Sequence, residues 1–252
     1  MNTTYTQYKQ PYSNSKRINF KPFYLFILYT VHFFFFGSSI FVAQELEINP
    51  NGYNTFLFKN GNISSQGILK NGRPIGYWKT YHDNGKIKSE GNRKNFLLDS
   101  IWNFYNNEGV LLNAISYNKN KKEGISKLFD TSGCMKSETN YVENLKDGEE
   151  IIFYTSGNIK NINNYNKDRK EAFCYELDSS GRIITISEYT GGFLRVEEQI
   201  NRYDKDQKKH GVWKEFYDNE KVRWEGKFKH GELDGIVREY NKKGGLKTMN
   251  MF

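Results

Sequence analysis

The residues that could carry metal or nucleophile chemistry are few. The chain has four histidines and two cysteines among 252 residues. His82, His210 and His230 lie outside the N-terminal leader, each beside a turn: His210 and His230 directly precede glycines, and His82 adjoins Asp83-Asn84-Gly85. No His-x-x-x-His or Cys-x-x-Cys pair and no glycine-rich phosphate loop occurs, so spacing along the chain supplies neither metal nor nucleotide ligands. Glu215, Glu225 and Glu239 fall in separate repeating segments and read as solvated strand-face charges rather than general acids. No serine stands in a nucleophile-elbow context. The expectation is a non-enzyme with no catalytic residue, no metal and no cofactor.

The elements that must position any site come from an internal period. Starting at Gly52 and stepping by 24 gives Gly76, Ser100, Gly124, Gly148 and Ala172, and the series resumes at Gly211 and Gly235. Nine residues after each start lies a glycine, except Glu220. Counting offsets from each start, three apolar columns confirm the register. Offset five carries Leu57, Tyr81, Tyr105, Phe129, Phe153, Leu177, Phe216 and Tyr240, and offset eleven runs from Ile63 to Leu246. Offset seventeen runs from Leu69 to Phe252, broken only by Arg93. Each unit reads as a β-hairpin closed by an Asp83-Asn84-Gly85-like turn, where Gly, Asn and Asp supply positive φ. A second turn, as at Lys70-Asn71-Gly72, leads to the next hairpin. One unit cannot bury its own apolar face, but a stack can. Val196 to His210 interrupts the period and reads as a degenerate repeat that has lost its first strand. The expected fold is all-β: an elongated array of about eight 24-residue antiparallel hairpins. Its segments are 1–43 (leader), 44–51 (short linker), 52–195 (six hairpins), 196–210 (partial repeat) and 211–252 (two hairpins).

The leader is a targeting segment. Residues 1–22 are polar and basic, and Phe23 to Ala43 is an apolar run interrupted only by Gly37-Ser38-Ser39 and a few polar residues. This describes either a cleaved secretory signal or a retained membrane anchor, so the chain is expected to be exported to the periplasm, the exterior or a membrane. Lys9, Lys16, Arg17 and Lys21 precede residue 44, where no acid occurs. Without them the formal +8 falls to +4, from 33 basic against 29 acidic residues. Those charges are interspersed, which argues against a nucleic-acid track and against strong affinity for anionic lipid.

The string Gly-x-Trp-x-x-[Phe/Tyr]-x-x-x-Gly-x-[Ile/Leu] stands at Gly76-Tyr-Trp-Lys-Thr-Tyr81, and its first half recurs at Gly211-Val-Trp-Lys-Glu-Phe216. It resembles the MORN-variant repeat, found in tandem in bacterial proteins similar to the YwqK-type antitoxin family. The resemblance covers residues 52–252. It implies a binding function exerted on a partner, in that family a toxin, rather than catalysis.

Three functions are therefore expected in order. The first is a structural or protein-interaction scaffold at the cell envelope, with an unidentified protein partner. The second is neutralisation of a toxin by direct binding, and the third is lipid or glycan binding on an aromatic sheet surface. In the first strand of each unit, offsets one, three and five share a face, exemplified by Tyr77, Tyr81, Ile101 and Tyr105, which is expected to be the core. Offsets two and four share the other, expected to be solvated. There Trp78, Trp102, Phe104, Leu128 and Ile152 would form a contiguous stripe, either covered as core or exposed as a partner site. Cys134 and Cys174 lie two units apart, roughly 19 Å at ~4.8 Å per strand. A disulfide needs Cα atoms within about 7 Å, so the two are expected to stay unpaired.

Overall fold

A computed structural model describes residues 47–252; the expected signal or anchor, Phe23 to Ala43, lies outside the described residues. The first strands are β1 (Tyr53–Leu57), β2 (Ile63–Lys70), β3 (Arg73–Tyr81), β4 (Ile87–Lys94) and β5 (Leu97–Tyr105). Then come β6 (Leu111–Asn118), β7 (Lys121–Phe129), β8 (Met135–Val142), β9 (Leu145–Phe153) and β10 (Ile159–Asn166). The third group is β11 (Arg169–Lys170), β12 (Ala172–Leu177), β13 (Ile183–Thr190), β14 (Phe193–Gln199) and β15 (Arg202–Tyr203). The last is β16 (Lys209–Phe216), β17 (Val222–Lys229), β18 (Glu232–Leu233), β19 (Ile236–Tyr240) and β20 (Leu246–Met251). Every pairing is antiparallel and joins chain neighbours, except that β10 also pairs with β12 and β17 with β19, past the two-residue β11 and β18; the strands form a 14-stranded sheet through β14 and a six-stranded sheet from β15. The all-β hairpin array is as the period predicts.

The turns explain the period. From Gly76 onward the small residues at the unit starts bulge the ladder with positive φ: Gly76 at 64°, Ser100 at 62°, Ala172 at 60°. Side chains larger than these are rare there because a Cβ crowds the backbone in that region. In the first kind of turn, His82 N–H donates to Lys86 O and Gly85 N–H to His82 O. A column the sequence did not single out, offset six, caps this turn. Asn106, Asp130, Asp178 and Asn241 each accept two backbone N–H groups, two and four residues on. Where that position is His82, Tyr154 or Tyr217, the side chain instead reaches a carbonyl of the next unit, at 2.7–3.0 Å. The second kind of turn has positive φ at both central residues, as at Lys119-Asn120 and Glu143-Asn144. Asn120 pays back that strain (its N–H donates to Leu98 O while its Oδ1 accepts from Leu98 N–H), and Asn144 does the same with Lys122.

Burial inverts the expected faces. Tyr77 and Ile101 are 54% and 58% exposed, whereas Trp78 and Trp102 are 6% and 3% exposed. Every offset-two residue from Asn54 to Cys174, together with Trp213 and Val237, is buried. The physical cause is in the strand before. Trp78 lies on bare backbone at Gly67 and Trp102 at Gly91, where an added methyl would come within 2.6 and 2.5 Å of the indole ring. The small residues that separate the apolar columns of the second strand are therefore the sockets of the core. Each indole N–H also finds a carbonyl, Ile68 O at 3.0 Å and Asn92 O at 2.8 Å, so its burial leaves no donor unpaired. Leu69, Phe56, Leu98, Phe104 and Tyr117 complete this cluster. Where Glu150 takes the tryptophan's place, Lys146, Asn163 and Tyr165 satisfy its carboxylate.

The irregular stretch also differs from expectation. It keeps a first strand, β14, which pairs with β13. What is missing is a separate second strand. After the turn Asp204 to Lys208, β16 pairs with β15 and then directly with β17. Ile200 and Asn201, 1% and 3% exposed, join the two sheets.

Candidate functional site

The described residues present one column of exposed apolar side chains. Tyr53, Tyr77, Ile101 and Ile125 occupy offset one of β1, β3, β5 and β7 and are each about half exposed or more. Those strands are every second member of the sheet, so the side chains repeat at roughly 9.6 Å, twice the strand spacing. Glu149 interrupts the column in β9, and Phe173 resumes it in β12. Beside it, at offset three and its cross-strand neighbour, run the ion pairs Lys79–Glu90 at 3.4 Å and Lys127–Glu138 at 3.3 Å. The column ends at a groove of about 440 Å³ in which Phe173, Tyr175 and Ile162 face Phe216, Tyr217 and Glu220. An apolar row with a charged rim and an aromatic-lined end is suited to bind a protein surface.

Electrostatics stiffen this face. Tyr105 donates to Glu90 at 2.8 Å, and burial together with that carboxylate pushes the phenol from 10.0 up to about 12. The folded value lies above the unfolded one, so this contribution is complete below pH 10 and is lost as pH rises through 10 towards 12. Tyr105→Phe should be about 1 kcal/mol less stable than the parent at neutral pH. In denaturant titrations that difference should shrink across the same window. A gap unchanged at pH 12 would mean the carboxylate does not hold the phenolic proton.

Of the five residues expected to form a stripe, Trp78 and Trp102 are core, and Phe104 packs against Trp102 at a centroid distance of 6.4 Å. Leu128 is 40% exposed and Ile152 half-buried. They sit on the face opposite the exposed column. Cys134 is exposed, Cys174 is buried, and both are free. Sequence reasoning missed the exposed column because its residue types, Tyr and Ile, are also core types. The available signal was the pairing of large with small in the register, Gly91 with Trp102 and Ile115 with Ser126, which marks the buried face. A second omission is a cluster of Asp204, His210 and His230 at the irregular junction. The Asp204 carboxylate is held below the usual range by the Lys208 N–H and the His230 imidazole.

No curated protein matches this chain. A family model, the MORN repeat variant, does match three of its hairpins, at residues 74–95, 146–167 and 209–230, each window opening two residues before the bulged start.

Proposed function

We propose that the chain is a non-enzymatic scaffold that binds a protein partner along the exposed column and its terminal groove, exported to the cell envelope by its N-terminal segment. The observation that carries the binding part is the row Tyr53, Tyr77, Ile101 and Ile125, apolar and exposed in four successive hairpins. An apolar patch of that continuity is unusual on a surface without a partner. MORN repeats are generally protein- or membrane-interaction motifs, which supports the same reading. The test is the double variant Tyr77→Ser with Ile101→Ser, used beside the parent to capture partners from an envelope fraction. Both sites are exposed, so the fold should persist with stability little changed. A partner held by the parent should be retained at least tenfold less by the variant. Its identity separates an envelope protein from a toxin, the class that the YwqK-type resemblance implies. Equal retention would remove the column from the interface.

A further inference from the structure

The irregular junction brings together three side chains that the regular array would keep apart. Asp204 opens the turn after β15, His210 lies in β16, and His230 is the first residue of the turn after β17. Their ligand atoms all lie within 4.8 Å of one another. His230 Nδ1 is 2.9 Å from Asp204 Oδ2, and the two imidazole centroids are 5.6 Å apart. In the regular units each kind of turn meets its own kind: Asn84 reaches the carbonyl of Asn107, and Lys121 pairs with Glu143. The missing second strand breaks that alternation, so a turn of the first kind lands beside one of the second. The β16–β17 pairing places the two histidines together, and the irregular β15–β16 turn adds Asp204.

We propose that Asp204, His210 and His230 bind a divalent transition-metal ion, Zn2+ by their donor chemistry, and that the ion ties the β15–β16 turn to the β17–β18 turn. Two imidazoles and one carboxylate are the borderline donor set that Zn2+ takes, with its fourth position left to water. Such donors bind at about 2.0–2.2 Å and stand roughly 3.3–3.6 Å apart around a tetrahedral ion. The present separations reach that geometry by rotation of exposed rings. Asp204 is already oriented for it. Its Oδ1 accepts the N–H groups of Asp206 and Lys208, both at 2.9 Å, which leaves Oδ2 for the ion. The ammonium of Lys209, beside His210 in the chain, is engaged elsewhere: its Nζ sits 4.4 Å over the Trp213 ring. A bare Asp204–His230 ion pair accounts for two of the three residues and leaves His210 unexplained.

The experiment titrates ZnCl2 into the untagged full chain, stripped with chelator, by calorimetry and by thermal melting. The expected result is one saturable equivalent per chain and a melting midpoint that rises with Zn2+. His210→Ala, His230→Ala and Asp204→Asn should each bind at least tenfold more weakly and lose the midpoint shift, while melting like the parent in chelator. His82→Ala should bind as the parent does. Absence of saturable binding would overturn the site, leaving an ion pair only. So would binding that survives in both His210→Ala and His230→Ala, which would put the ion elsewhere.

Discussion

Trp102→Ala should lower the folding free energy by about 3–5 kcal/mol, the cost typical of emptying a large aromatic from a packed site. Three contributions meet at this residue. The indole is 3% exposed and clusters with Leu69, Trp78 and Phe104. It fills the socket over Gly91 and donates to Asn92 O. Arg93 stacks over its ring at 5.2 Å and would lose that contact as well. Denaturant unfolding gives the value, and Tyr77→Ala is the control. Tyr77 lies on the other face and half in solvent, so its truncation should cost well under half as much. If instead Tyr77→Ala were the more damaging change, the core would lie on the face that carries Tyr77 and Ile101. A loss of this size is a large part of the total stability of an ordinary domain, which is about 5–15 kcal/mol.

The period, the hairpins and the antiparallel order were legible because turn glycines and apolar columns are local signals, read one unit at a time. The buried face was not. Strand alternation gives two sets of residues per unit but not which set faces inward, and here Tyr and Ile occur on the exposed set while Ser126 and Glu150 occur on the buried one. The decision is made between strands: Gly67 leaves room for Trp78, and Gly91 leaves room for its cross-strand partner Trp102. At the junction, Arg202-Tyr203-Asp204-Lys205 resembles the end of either strand of a unit. Which strand is missing depends on hydrogen bonds to β13 and β16, invisible in the residue types. His210 and His230 lie 20 residues apart, so no ligand-spacing rule connects them. They meet because β16 pairs with β17, and the pairing of β16 with β15 adds Asp204.

That junction is also where a single substitution should divide the molecule. Ile200 N–H donates to Ile184 O in the 14-stranded sheet, and the next residue, Asn201, donates its N–H to Val212 O in the six-stranded one. The Asn201 side chain bridges both sides, giving Nδ2–H to Ile183 O at 2.9 Å and accepting Lys214 N–H at 2.8 Å. Its φ is 54°, a left-handed conformation that asparagine tolerates better than alanine. Asn201→Ala therefore leaves a carbonyl and an N–H unpaired near a residue that is 3% exposed, and it adds backbone strain. The expected cost is about 3 kcal/mol, since each buried group left unpaired costs roughly 1–3 kcal/mol. In a ladder where each unit touches only its neighbours, the damage should stay local. Hydrogen exchange should show β16, β17 and β19 losing protection while β3 to β8 retain theirs. Asn201→Gly, which relieves the strain but removes the same side chain, should reproduce the pattern at lower cost. Uniform loss of protection from β3 to β19 would show instead that the two sheets unfold as one cooperative body, and that the contacts of Ile200 rather than the Asn201 bridge hold them together.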